Sequence, residues 1–339
     1  MHPLYARLCS LIVLVAMVLS CNRQPLSTGD SEGRYFIAVI PMSSQHDFWH
    51  SIHAGALQAA EELDVEIIWN APLQNEDRQQ QIDIVESMRI RGVDGIVLAP
   101  VDSVALASSV EDAMRRGVPV VIVDSALDSE EQISFVATDN YQGGVLAAQE
   151  LAKLLGESGK VIVLRANEGT ASTMNRERGF LECLEEYGNI EVISSNQRAG
   201  TTPESAYQKA EQLLATYKTD DGGLEADGIF SSCEPVTFGM MRAMEDADLM
   251  GKVRHVGFDA SPALVEGLRK GHLDTIIVQD PIKMGYLGVK VIVQHLNGEE
   301  VDKRHDTGVY AISRDNVDHP ANRNLVEPDL DRWLSEEGQ

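Results

Sequence analysis

Residues 95–123, GIVLAPVDSVALASSVEDAMRRGVPVVIV, decide the fold. GIVLA at 95–99 and VPVVIV at 118–123 are apolar, β-branched runs with no alternation of polar and apolar residues. Strands of that kind are buried on both faces, which places them in a parallel sheet. Residues 104–116 between them read as a helix. A strand, a crossover helix and a second parallel strand form one right-handed unit.

The same alternation extends in both directions. Upstream, residues 35–41 (YFIAVIP) are a strand, and Trp49, Ile52, Ala56, Ala59, Ala60 and Leu63 recur at helical spacing. A strand at 65–69 and a helix at 77–91, closed by Gly92, lead into the central unit. Downstream, after a strand at 133–138, the pattern restarts near Asp139. Helices are expected at 140–155, 176–187, 203–217, 235–246, 262–270 and 282–296, and strands at 160–164, 191–195, 228–231, 253–258 and 275–278. These are too many strands for one compact sheet. The expected fold is α/β, with two doubly wound parallel-sheet lobes. No Gly/Pro/Ser-rich linker divides them, so a hinge of several short strands should join them. The N-terminal lobe is expected to take residues 35–138 plus 281–306, and the C-terminal lobe 139–280 plus 307–339.

The 339 residues carry 28 Lys+Arg against 53 Asp+Glu, a formal charge of -25. A surface this acidic argues against nucleic acid, whose binding relies on clustered cations. It also argues against adsorption to an anionic lipid surface. Hydrophobic and charged shares of 43% and 24% are those of a folded globular protein.

The first twenty residues differ from the rest. Arg7 is their one charged side chain, and residues 8–19 (LCSLIVLVAMVL) are almost wholly apolar. That run is too short to span a membrane and reads as a signal peptide over residues 1–20. Val18-Leu19-Ser20-Cys21 resembles a bacterial lipobox, which implies lipidation of Cys21. Residues 22–34 (NRQPLSTGDSEGR) are polar, with Pro and Gly, and read as a tether. Cys183 and Cys233 remain in the body. Their pairing is open on the sequence, although Cys183 sits beside Phe180, Leu181 and Leu184 on an apolar helix face, as a buried thiol would.

In doubly wound sheets ligands bind beyond the carboxyl ends of the strands. The residues there are His46, Phe48 and Trp49 after the first strand, and Asp124 and Ser125 after the fourth. Met174-Asn175-Arg176 is expected to close the loop after Leu164. Ser232-Cys233-Glu234, Asp259, and Gln279 with Asp280 follow later strands. Aromatic faces stack on sugar C–H groups, and carboxylates, amides and a forked guanidinium match vicinal hydroxyls. A phosphate site would instead want Gly-rich backbone with Lys or Arg.

Taken together, these segments resemble the type I periplasmic binding proteins of the ribose- and galactose-binding class, the ligand receptors of sugar ABC importers. The resemblance runs from about residue 35 to 308. It rests on Phe48-Trp49 with Gly55-Ala56, Asp94-Gly95-Ile96 with Pro100-Val101-Asp102-Ser103, and Gly117-Val118-Pro119-Val120 leading to Asp124. Thr138-Asp139-Asn140 with Gly143-Gly144, Asn175-Arg176 with Gly179-Phe180, Val256-Gly257-Phe258-Asp259 and Gln279-Asp280-Pro281 complete it. The resemblance implies that Phe48 and Trp49 sandwich the sugar ring and that Asp124, Arg176, Asp259 and Gln279 bind its hydroxyls. It also marks departures. His46 and Cys233 stand where the family usually has asparagines, Ser125 replaces an arginine, Ala99 replaces an asparagine, and residues 198–201 supply no second-lobe aromatic.

The resemblance further implies a lipid-anchored, extracytoplasmic substrate-binding protein with no catalytic residues, cofactor or metal. Its partners would be a monosaccharide, pentose or hexose, and the membrane subunits of an ABC permease, and it would be a monomer. The same lobes also serve ligand-presenting sensors, feeding chemotaxis or a kinase or binding a signalling furanone, and that alternative stands. His46, His50 and His53 share a helical stripe, but His46 is expected in the loop, which leaves no metal set. Gly156-Glu157-Ser158-Gly159-Lys160 lacks the spacing of a phosphate loop.

Overall fold

The structure, a computed structural model, describes residues 33–44, 46–73, 77–200 and 202–335. The signal peptide, the lipidation site Cys21 and nearly all of the tether lie outside the described residues.

The first half alternates β1 (Phe36–Ile40), α1 (Asp47–Leu63), β2 (Glu66–Trp69), α2 (Arg78–Arg91), β3 (Gly95–Leu98), α3 (Ala107–Arg115), β4 (Val120–Val123) and β5 (Ser134–Ala137). The chain then crosses over through α4 (Asn140–Leu154). It continues as β6 (Ser158–Arg165), α5 (Ala171–Leu184), β7 (Asn189–Arg198), α6 (Pro203–Thr216), β8 (Gly228–Ser231), α7 (Glu234–Asp246), β9 (Arg254–Phe258), α8 (Pro262–Lys270) and β10 (Thr275–Val278). It crosses back through α9 (Pro281–Leu296) to β11 (Arg304–Asp306), then a third time to β12 (Tyr310–Ser313). Two short helices follow, α10 (Arg323–Val326) and α11 (Asp331–Leu334).

The strands form two six-stranded sheets, ordered β11-β5-β4-β3-β1-β2 and β12-β10-β9-β8-β6-β7. Every pairing is parallel except that of β12 with β10. The lobes are therefore copies of one plan, each a 2-1-3-4-5 order with a returning edge strand. Each sheet is covered on both faces. Ile37, Val39, Val97 and Val123 pack on α1 and α9, while Ala38, Ile96, Leu98 and Ile122 pack on α2 and α3. In the second sheet Val161, Val163 and Phe230 face α4 and α5, and Ile162, Leu164 and Ile229 face α6 and α7.

Three crossings join the lobes and hydrogen-bond to one another. The Thr138 hydroxyl lies 3.2 Å from that of Thr307 and donates to the Gly308 carbonyl at 3.0 Å. Arg304 Nη2 donates to the Thr138 carbonyl at 3.1 Å. Asp139 and Asp280 cap α4 and α9 in the same way, accepting from Gln142 N and Lys283 N.

Each crossing helix is held against a helix of the lobe it enters by a close approach. An added methyl on Gly55 of α1 would land on the Ile282 carbonyl, and one on Gly285 of α9 on that of Ile52. In the other lobe, methyls on Gly144 of α4 and Gly179 of α5 would land on the carbonyls of Arg176 and Tyr141. These contacts fix the start of α1 and of α5 relative to the hinge.

Several expectations need correcting. α5 starts at Ala171, five residues before the expected position, so Arg176 lies inside the helix rather than at its entry. β11 (RHD) and β12 (YAIS) carry too short a pattern to register as strands in the sequence. The tail packs with the C-terminal lobe through β12, Val317 and Val326, as expected from residue 307 on, but α11 reaches back to α1 of the first lobe. α3 starts at Ala107, after a turn, instead of near residue 104.

Gly144→Ala should lower thermal stability by several degrees, on the order of 1–3 kcal/mol. Gly188→Ala, with nothing within 4 Å of the new methyl, should leave it nearly unchanged. Equal melting temperatures for the two variants would show that the α4–α5 crossing tolerates expansion.

Candidate functional site

Asp124 and Asp259 occupy equivalent places, one residue beyond β4 and β9. Both have left-handed backbone, φ 62° and 68°. Each N–H donates back to the neighbouring strand, Asp124 to Val136 O at 3.1 Å and Asp259 to Ile277 O at 2.7 Å. That closure turns each carboxylate off its sheet and into the space between the lobes. Aspartate tolerates this conformation better than most residues.

Arg176 enters from α5 and is almost fully buried. Nε donates to Asn140 Oδ1 at 2.8 Å, and Nη1 donates to Ser232 O at 3.2 Å and Asp259 Oδ2 at 3.3 Å. The guanidinium also lies flat over Phe258, 3.9 Å from the ring centroid. Nη2 carries no hydrogen bond among the described residues. Gln279 Nε2 donates to the other oxygen of Asp259 at 2.6 Å, and Gln279 Oε1 is buried with no partner.

A cavity of about 150 Å³ lies between the lobes, and His46, Phe48, Trp49, Asp124, Arg176, Cys233, Asp259 and Gln279 all contribute to its wall. At roughly 10–15 Å³ per water-sized group, it holds some ten to fifteen such groups. That is the heavy-atom count of one small sugar. Phe48 and Trp49 meet edge to face, ring centroids 5.0 Å apart. Trp49 does double duty, because most of its ring packs in the core with Ile52 and Met284.

Ser125 is the exception. It does not line the cavity, because its hydroxyl accepts from Ser172 N at 3.2 Å and so caps α5 across the lobe boundary. Two further bonds cross the same rim, Ser103 N to Gly169 O at 3.3 Å and Thr170 Oγ1 to Val101 O at 3.2 Å.

Asn167, Thr170 and Thr173, absent from the expected set, also line the cavity, as does Glu234, which the sequence places at a strand end without assigning it a contact. The first three follow from the early start of α5, whose Thr-x-Ser signal at 170–172 was available in the sequence. Behind them sits Glu177, fully buried. Its Oε1 accepts from Ala166 N at 2.8 Å and Ser232 Oγ at 3.1 Å, and its Oε2 from Arg165 Nε at 2.6 Å. That carboxylate ties together the ends of β6 and β8. Cys183 and Cys233, the cysteines among the described residues, are free. Burial pushes the Cys233 thiol up to about 12, so it enters the cavity neutral and unreactive. Among the described residues no three His, Cys, Asp or Glu converge to hold a metal ion.

The cavity is acidic, with Asp124, Asp259 and Glu234 against one cation, Arg176. Burial pushes Asp124 up to about 7, with Arg176 opposing and Asp259 adding to the rise. Burial also raises Glu234 to about 7. No protein group donates to the Asp124 carboxylate among the described residues. Burial lowers the His46 imidazole below its usual range.

With this geometry in place, comparison with known proteins is informative. A family described as periplasmic binding protein domain matches residues 37–300. The ribose import binding protein of Haemophilus influenzae is 28% identical over 277 residues, covering 82% of this chain and 91% of that one. A solute-binding protein of an ABC transporter from Agrobacterium vitis, solved with bound D-fucose, is 31% identical with a TM-score of 0.81, covering 86% of this chain and 99% of that one. A carbohydrate transporter solute-binding protein from Agrobacterium radiobacter, solved with D-arabinose, is 27% identical with a TM-score of 0.81, covering 87% and 99%.

The raised acidity of Asp124 sets a pH dependence. The folded state holds its proton more tightly than the unfolded state, so stability is lost as pH rises from about 4 to about 7. Asp124→Asn should remove that loss, up to about 4 kcal/mol, and melt higher than the unsubstituted protein at pH 8. The difference should vanish near pH 4. A variant no more stable at pH 8 would mean that the carboxylate is well accommodated.

Proposed function

The chain belongs to the periplasmic binding protein domain family, and from that premise we propose that it captures a neutral monosaccharide, a pentose or hexose, between its lobes for delivery to the permease of an ABC importer. The family location is extracytoplasmic, and the relatives are substrate-binding proteins of transporters, not enzymes.

The observation that carries the sugar reading is the set of unused hydrogen-bonding groups in one apolar-walled cavity. Among the described residues, Gln279 Oε1 is buried with no partner, and no hydrogen bond engages Arg176 Nη2 or the Asp124 carboxylate on the same wall. Leaving buried polar groups unpaired costs about 1–3 kcal/mol each, and vicinal hydroxyls would remove that penalty. Rings at Phe48 and Trp49 offer the C–H face its partner. With three carboxyl groups around one guanidinium, phosphorylated and uronic sugars are disfavoured. Of the positions where the resemblance expects an arginine or asparagine, Cys233 lines the cavity while Ser125 and Ala99 leave it, so the sugar differs from ribose in what it asks of the site.

The lobes pivot on the three crossings, and ligand holds them closed. Ahead of the first lobe, residues 1–20 act as a signal peptide, Cys21 carries lipid and residues 22–34 are the tether. The protein acts as a monomer. Sequence pattern alone supports these last points.

A thermal-shift screen of neutral pentoses, hexoses and polyols should find at least one that stabilises the protein. The gain should reach about 2.7 kcal/mol at a hundredfold excess over Kd. Hydroxyls donate to the ionised Asp124, so affinity should rise about tenfold from pH 6 to pH 8 about its raised value near 7. Asp124→Asn should cut affinity at least a hundredfold. Silence across the panel, or a flat pH profile, would sink the reading.

A further inference from the structure

A second cavity, of about 400 Å³, adjoins the first. Phe48, Asp259 and Gln279 wall both spaces, so the partition between them is one side chain thick. One side of the second cavity is the start of α1, with Asp47 and Ser51, and another is the loop from Asp259 to Pro262. Its remaining wall is the chain tail, residues 324–331.

The tail is firmly placed. Val317 and Val326 are buried in the core around α8 and β12. Arg269 of α8 grips Asp318 at 2.8 Å and Glu327 at 2.7 Å. From Pro328 the chain then leaves the second lobe and lays α11 against α1 of the first. The space beneath it is thus enclosed by both lobes and by a segment beyond the 37–300 family match.

Two observations give this space a ligand chemistry. The hydroxyl of Ser261, a buried residue on its wall, approaches the Glu234 carboxylate, which it helps hold down, but makes no full hydrogen bond among the described residues. Gln279 Oε1, on the shared partition, is likewise unpartnered. The charged residues among the described lining are Asp47, Asp259, Glu327, Asp329 and Asp331, with no Lys or Arg. Such a wall refuses an anionic occupant and accepts one rich in neutral hydroxyls.

We propose that the second cavity is a subsite for a neutral, hydroxylated substituent of the bound sugar, the second ring of a short glycoside. The proposal rests on the sugar reading of the first cavity. One ring would lie against Phe48 and Trp49, and the glycosidic bond would pass between Phe48 and the Asp259–Gln279 pair. The tail would close over the second ring.

Calorimetric titration of the purified chain tests this, using the monosaccharides that stabilise it, their neutral disaccharides and a uronate-containing disaccharide. A neutral disaccharide should bind at least tenfold tighter than its monosaccharide, and the uronate analogue should not. Truncation after Glu327, and separately Ala260→Trp, which fills the second cavity without touching the first, should erase that excess. Monosaccharide affinity should stay within about twofold in both. Monosaccharide binding without disaccharide binding, or an excess untouched by both variants, would overturn the subsite alone. If no sugar binds at all, the reading of the first cavity falls with it.

Discussion

A guanidinium taken out of water must find its partners in the protein, and the site is organised around that requirement at Arg176. Its Nε is satisfied by Asn140, the first residue of the crossing helix α4. Nη1 uses the carbonyl at the end of β8 and the carboxylate just past β9. The ring of Phe258 covers its face. Its own carbonyl is the atom against which Gly144 is packed, so the helix crossing that defines the lobe also sets the height of the arginine. One buried charge thus couples the hinge, two strand ends and a helix contact. Breaking any one of these would leave a costly unpaired group.

The same economy leaves the cavity deliberately unfinished. Two aspartates sit in left-handed backbone, at about 1 kcal/mol or more apiece, and one of them is driven toward its neutral form by burial. Nothing in the apo protein repays these costs. They are repaid only when an occupant donates to Asp124 and accepts from Arg176 Nη2. Stability withheld from the empty state in this way becomes selectivity in the filled one.

Much of this was legible from the chain. Apolar runs such as GIVLA and VPVVIV identify doubly covered parallel strands, and the repeat of the pattern after Asp139 identifies two sheets of like order. Asp124 and Asp259 stand out because each directly follows such a run. The failures have physical causes. Ser125 follows a strand too, but a hydroxyl is equally suited to capping a neighbouring helix, and the start of α5 lay within its reach. Glu177 looks like an ordinary solvated helix carboxylate, since sequence does not report which face a long-range packing contact will bury. β11 and β12 draw their pairing from sheet edges more than 30 residues distant, a contact that three or four polar residues cannot announce.

The rim contacts bear on the proposed closure of the lobes around a small ligand. Opposite the hinge, the described lobes meet through Ser103–Gly169, Thr170–Val101 and Ser172–Ser125. Each is a neutral hydrogen bond, worth about 0.5–1.5 kcal/mol net. If the proposed closure holds, three such bonds are of the same order as the few kcal/mol that a ligand supplies at modest excess over its dissociation constant. A stronger rim would close the empty protein and hide the site, and a weaker one would leave a bound sugar exposed at the mouth. Setting the rim near the ligand's own contribution lets occupancy, and little else, decide the population of the closed form.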